Sequence, residues 1–370
     1  MNILIISRHT WPTQGPRSFR CAELSEELVR QGHKVVVYAV QGESDMSVYS
    51  RETGVIVRPI EMHNPINKEG KSHRYNQLDR IKLHLFKRIA DYPLMEFKHR
   101  VKEILSRDYQ YDLLITIAYP HEIHFGAALA KKRHPDRFPK VWIGDCGDPF
   151  MFNPYGKPIW YFALEEKRWC KEADFITVPV EQSINAYYPV FQNKIHVIPQ
   201  GFDYSKTPIA EYKKNDVPTF AYAGAFYPGL RDPFKFLDYL SSIEEDFHCD
   251  FYIRGNIPSR YLDALSGKLS VHLNWKRKDI IYALSKADFL LNIPNKGSRV
   301  QVPSKLIDYA IANRPVLNVE TDFAQEKEFM DFLHYDYTSK LELPDLCNYD
   351  IKAVATSFVK LAQSKLRKNE

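Results

Sequence analysis

Short apolar runs alternate with amphipathic stretches along almost the whole of this 370-residue chain, and that alternation restricts the fold more than any single motif. Runs at 3–7, 34–40, 54–59, 112–118, 140–145, 174–180 and 194–199 have the length and composition of strands. Between them lie helix-patterned stretches at 16–31, stopped by Gly32, at about 121–133 and at about 158–172. Strands separated by crossover helices pair in parallel, so the expected class is α/β, with helices on both sheet faces. Residues 203–218 are polar and lysine-bearing, as linkers are. Strands at 219–224, 251–254, 287–293 and 315–319 then rebuild the alternation, with helices at 233–242 and 278–286. The length accommodates two cores. Expected boundaries are 1–203, 204–350 and a final helical segment at 351–370, with Val354, Phe358 and Leu361 on one face.

Composition narrows the function classes. Hydrophobic residues make up 44% and charged residues 26%, an ordinary globular balance, and no run approaches a membrane span. The opening run, Met1-Asn2-Ile3-Leu4-Ile5-Ile6-Ser7, lacks a basic flank and a cleavage site, so a first strand is expected and not a signal peptide. Five scattered cysteines without a C-x-x-C pair fit free thiols in a reducing cytoplasm. The net charge of +5 is concentrated: from Lys68 to Arg107 there are eleven Lys/Arg against five Asp/Glu. Apolar residues at helical spacing within 78–90 and 94–105 raise peripheral contact with anionic lipid, against two plainly solvated helices. Nucleic acid is not an expected partner, because no binding module is recognisable.

The residues able to do chemistry cluster after strands, where open parallel sheets bind ligands. Val302-Pro303-Ser304-Lys305-Leu306-Ile307-Asp308 precedes the strand at 315–319. Proline suits a helix start, and the outward-pointing first-turn amides beside Ser304 and the Lys305 ammonium can cradle a phosphate, with Asp308 near a sugar hydroxyl. Gly224 to Pro233 likewise joins a strand to a helix and carries Arg231, whose fixed fork suits a departing diphosphate. In the first half, Gly15-Pro16-Arg17 allows close backbone approach, although taken alone a simple turn with a proline helix start is the better explanation, and Gly201 offers similar freedom. His121 and His124 can bond a sugar or move a proton. An H-x-x-H metal pair gains no cysteine or carboxylate support in sequence, so no metal is expected. Asp145 and Asp148 can fix hydroxyls or act as a base, against plain turn chemistry.

These pieces together resemble the GT-B glycosyltransferases of glycosyltransferase family 4. The resemblance rests on Gly15-Pro16 with Glu23-Leu24-Ser25-Glu26-Glu27-Leu28 and Gly32-His33-Lys34-Val35. It continues through Ile198-Pro199-Gln200-Gly201-Phe202-Asp203, Tyr222-Ala223-Gly224, Lys286-Ala287-Asp288 and the Pro303–Ala310 stretch. The loop from Asp145 to Phe150 looks like that of a subset building bacterial surface polysaccharides. The resemblance implies two Rossmann-like domains facing a cleft, with the last helix crossing back to the first. It implies a UDP- or GDP-sugar donor, retention at the anomeric carbon, no cofactor or metal, and a glycan or lipid-linked acceptor. Joined to the residues singled out above, the resemblance makes His121, Asp148, Arg231 and Lys305 the expected catalytic residues, of which His121 and Arg231 are carried over by position. Gly15, Pro16, Arg17, Gly201, Gly224, Ser304 and Asp308 would bind the donor, while Asp145 and His124 would contact acceptor or sugar. Val300 stands where the family's first E-x7-E glutamate would be. The implied setting is cytoplasmic, with peripheral membrane contact through the basic segment. A nucleotide-sugar epimerase or hydrolase and a non-catalytic binding protein on the same fold are the alternatives.

Overall fold

The computed structural model describes residues 1–13, 15–42, 45–64, 86, 91–153, 158–227, 229–296 and 304–367, without the Ser304 side chain. It divides into two units, Met1–Phe202 with Asn348–Glu370, and Asp203–Cys347. The helix expected at 78–90, and with it much of the basic segment, lies outside the described residues.

In the first unit, β1 (Asn2–Ser7), β2 (Lys34–Ala39), β3 (Ile56–Pro59), β4 (Leu113–Ala118), β5 (Val141–Cys146), β6 (Phe175–Val178) and β7 (Ile195–Val197) form one parallel sheet. Their order is β3-β2-β1-β4-β5-β6-β7. The strands are apolar on both sides because both faces are covered. Leu4, Ile6, Leu114 and Trp142 pack on one face with Phe97, Val101 and Trp169, while Ile3, Ile5, Val37 and Ile115 pack on the other with Leu24 and Leu28. The covering helices are α1 (Pro16–Arg30), α2 (Met46–Thr53), α3 (Met95–Arg107), α4 (Glu122–Arg133) and α5 (Phe162–Glu172). Helix α5 starts later than its apolar pattern predicts.

The second unit repeats the plan. Strands β8 (Thr219–Ala225), β9 (His248–Arg254), β10 (Leu269–Leu273), β11 (Phe289–Asn292) and β12 (Val316–Asn318) run parallel in the order β10-β9-β8-β11-β12. Helices α6 (Phe234–Leu240), α7 (Ser259–Ala264), α8 (Arg277–Leu284), α9 (Ser304–Ala312) and α10 (Glu326–Leu333) accompany them. One sheet face is strongly aromatic: Phe220, Tyr222, Phe251 and Phe289 pack with Phe236, Phe329 and Phe332. Both sheets put β1 or β8 beside a reversal of strand order, the arrangement of two Rossmann-like folds.

The last helix, α11 (Ile351–Leu366), belongs to the first unit. Asp350 caps it by accepting from the Lys352 amide at 2.9 Å. Its Ile351, Val354, Ala355 and Phe358 complete the core that contains Ile3 and Ile5. Gly201 is explained by this packing. A Cβ there would lie 2.5 Å from Ile351 Cδ1 and 3.2 Å from the Ile351 Cα. Packing alone thus accounts for glycine here: it lets α11 approach. Gly201→Ala is expected to destabilise the protein by about 1–3 kcal/mol through overpacking, measured by urea unfolding.

Candidate functional site

In the second unit, two cations expected from sequence come together after the strands. Arg231, following β8, donates through Nε to Asn295 Oδ1 at 3.0 Å. Lys305, in the first turn of α9, donates through Nζ to the Ile293 carbonyl at 2.6 Å and lies 5.4 Å from the Tyr222 ring centroid. Neither cation forms an ion pair among the described residues. Burial, reinforced by the nearby Arg231 charge, pushes the Lys305 ammonium down to about 6. Two basic groups thus lie together with no carboxylate partner among the described residues, a setting that favours an anion over a cation.

What holds Lys305 there is Tyr309, one turn further along α9. Its hydroxyl accepts from the Ala223 amide at 2.9 Å and donates to the Leu291 carbonyl at 2.9 Å, fastening α9 to β8 and β11. Gly224 makes room for a neighbouring tyrosine: a Cβ would lie 2.6 Å from Tyr222 Oη. This contact gives Gly224 a packing reason of its own. Asp308 accepts from Arg277 Nε at 2.9 Å and Nη2 at 2.5 Å, both at Oδ1. Sequence reasoning missed Arg277; its place just beyond β10 was the available signal. Ser304 opens α9, while Val300 and Pro303 fall outside the described residues.

In the first unit, Pro16 begins α1 after Gly15, and a Cβ on Gly15 would meet nothing within 4 Å. Packing therefore gives no reason for glycine there. Arg17 lies over Gly147, where a Cβ would come 2.5 Å from its Cζ. Its Nη2 donates to Gln200 Oε1 at 3.4 Å, and its Nη1 is 3.7 Å from Asp145 Oδ2. Burial lowers its pKa, partly opposed by Asp145.

Asp145 requires a correction. It is buried, and Arg20 clasps it with Nε–Oδ2 at 3.1 Å and Nη2–Oδ1 at 2.9 Å. Thr177 Oγ1 donates to Oδ1 at 2.7 Å. Arg20 also donates to the Pro199 carbonyl at 2.7 Å and stacks 4.9 Å from the Phe358 ring centroid. Burial opposes ionisation of Asp145, but Arg20, Arg17 and Thr177 outweigh it and hold the carboxyl below its usual range. With both oxygens occupied, Asp145 locks α1 to β5 and does not contact acceptor or sugar.

The two histidines separate into different roles. His121 is buried, and its Nε2 bonds the Asp148 carbonyl at 3.1 Å. A carbonyl only accepts, so Nε2 carries the proton and Nδ1 is left as a bare acceptor without a hydrogen-bond partner. Burial pushes this imidazole down to about 4, so it is neutral near pH 7. Asp148 itself is exposed.

His124 closes a buried relay. Trp142 Nε1–H donates to Thr116 Oγ1 at 2.8 Å, and Thr116 Oγ1 is hydrogen-bonded to His124 Nδ1 at 2.7 Å. His124 Nε2 then faces Cys146 Sγ at 3.3 Å. Cys146 thus stands beside the histidines, contrary to the expectation that no cysteine supports them. The donor atoms of His121, His124 and Cys146 lie within 4.8 Å of one another. Yet both His124 nitrogens are engaged and burial pushes the Cys146 thiol up, so the set as folded suits hydrogen bonding better than a cation. The expected sugar contact by His124 is likewise corrected, since its ring is fully enclosed.

Among the described residues, no helix is long and apolar enough to cross a membrane. No curated protein sequence matches the chain. Solved structures match over its whole length. A glycosyltransferase from Rickettsia africae is 14% identical, with a TM-score of 0.58 and coverage of 100% of this chain and 96% of the other. Anabaena Alr3699/HepE in complex with UDP is 9% identical, with a TM-score of 0.60 and coverage of 100% and 99%. The lipopolysaccharide outer core galactosyltransferase WaaB is 10% identical, with a TM-score of 0.57 and full coverage of both chains. At these identities the likeness is one of fold, two Rossmann-like units of the GT-B type. The model of Glycosyltransferase Family 4 matches residues 19–206, half of the sequence, and this chain belongs to that family.

Proposed function

We propose that this glycosyltransferase moves a sugar from a UDP- or GDP-sugar to a hydroxyl of a glycan or lipid-linked acceptor, in the assembly of a polysaccharide or glycoconjugate. The observation that carries the reading is the meeting of Arg231 and Lys305, two basic groups without carboxylate partners among the described residues, at the carboxyl ends of β8 and β11. As the bond from anomeric carbon to diphosphate breaks, negative charge grows on the leaving oxygen. The fixed Arg231 cation, joined by a Lys305 amine that gains its proton as the diphosphate binds, stabilises that charge. Such a device does the work otherwise given to a divalent ion, so metal-independent transfer is part of the proposal. The Anabaena relative has been solved with UDP and with UDP-glucose, which favours a uridine donor.

His121 stands beside the Asp148 loop with a buried Nδ1, so its part in the proposal is to hold that loop, not to bond the sugar through Nδ1. Asp148 supplies the carbonyl that orients the imidazole. Retention at the anomeric carbon follows from the family resemblance; a cytoplasmic setting, argued from the scattered cysteines, and peripheral membrane contact, argued from the basic Lys68–Arg107 segment, complete the proposal.

Release of free nucleoside diphosphate from a panel of nucleotide-sugars, with and without glycan acceptors, tests the reading. Acceptor-dependent release that falls by about 100- to 1,000-fold in Arg231→Ala is expected. Consumption of donor that is indifferent to acceptor would instead identify an epimerase or hydrolase.

A further inference from the structure

The second unit holds a groove of about 660 Å³ on the sheet face opposite its aromatic core. Asp250 and Tyr252 form its floor on β9, and their direct cross-strand neighbours on β10 are Ser270 and His272. Tyr252 and His272 stack at 4.5 Å, and Trp275 stands edge-on to both at 5.1 and 5.2 Å. Helix α8 supplies the opposite wall through Asp279 and Tyr282, three residues apart and therefore on one side of the helix. Two rings stay in water: Trp275 is 45% exposed and Tyr282 39%.

The polar groups sort the possible ligands. His272 Nε2–H donates to Asp250 Oδ1 at 2.7 Å, which orients the carboxylate, and Asp250 Oδ2 has no hydrogen-bond partner among the described residues. Asp250 and Asp279 face one ammonium, Lys286. This balance disfavours phosphates and acidic sugars, in contrast to the Arg231–Lys305 pair. Flat aromatic faces stack on the C–H faces of pyranose rings, and oriented carboxylates accept from adjacent hydroxyls in charge-assisted bonds. The volume is within the ~300–1,000 Å³ usual for small-molecule sites.

We propose that this groove, lined by Asp250, Tyr252, Trp275, Asp279 and Tyr282, binds a neutral oligosaccharide away from the Arg231–Lys305 pair. It goes beyond the transfer reaction: the groove would hold a neighbouring stretch of a glycan chain and would bind it without any donor present.

The test uses the full-length protein on a printed array of neutral oligosaccharides, with maltotriose and cellotriose followed in solution by saturation-transfer NMR. UDP binding is measured in parallel by thermal shift. The wild type is expected to retain at least one neutral oligosaccharide, and Asp279→Ala and Tyr282→Ala to weaken it at least 10-fold while melting temperature and UDP shift stay unchanged. Asp250→Asn, which preserves shape, should give the same loss. Retention of no neutral glycan by the wild type overturns the proposal, as does glycan binding indifferent to all three substitutions. Neither result touches the transferase reading, whose failure would show instead as a missing nucleotide response.

Discussion

Lys305→Met is expected to cut turnover by about 100- to 1,000-fold while raising the melting temperature by about 2–4 °C. The two effects share one cause. An amine that burial has pushed down to about 6 is kept neutral near pH 7 at a cost to folding, and methionine fills similar space without that cost. The pH dependence follows by linkage. Between about 6 and the ordinary lysine value the unfolded chain binds a proton that the folded chain lacks, so wild-type stability rises with pH across that window. The advantage of Lys305→Met is therefore largest at or below pH 6 and shrinks as pH climbs toward 9, as thermal unfolding across that range should show. A bound diphosphate reverses the situation by favouring the charged ammonium. Calorimetry of UDP binding at pH 7.5 in buffers of different ionisation enthalpy should show uptake approaching one proton, and Lys305→Met should abolish it. Binding without proton uptake would mean that Lys305 does not face the diphosphate.

Asp145→Asn should be severe for a different reason. It leaves the buried Arg20 guanidinium without its counter-charge, which costs about 3–5 kcal/mol, so a large fall in melting temperature is expected. Because the Asp145 carboxyl is held below its usual range, its stabilisation is fully present above about pH 4. It is lost as pH falls through the lowered folded-state value. The gap between wild type and Asp145→Asn should thus narrow in acid. A variant that keeps the wild-type melting temperature but loses turnover would restore Asp145 to the substrate.

Most strands were legible because a strand buried on both faces leaves a continuous apolar run. Helices α7 and α10 escaped notice because each spans only two turns or so. The neighbourhood of Arg231 and Lys305 was legible for a topological reason: residues just past parallel strands converge at one sheet edge. Asp145 was misread because Arg20, its partner, is 125 positions away and nothing local marks the pairing. The packing reason for Gly201 was hidden similarly, since the crowding side chain, Ile351, returns only after the entire second unit. The relay from Trp142 through Thr116 and His124 to Cys146 joins three elements, and local spacing reveals none of its links.

Helix α11 leaves the ribosome after every strand of both units, yet its Ile351, Val354 and Phe358 finish the core begun by β1. Order of synthesis and order of folding therefore diverge. The second unit has all its strands in hand before the first can seal its apolar face. During that interval the nascent amino-terminal sheet presents bare aliphatic surface, a natural client for a chaperone.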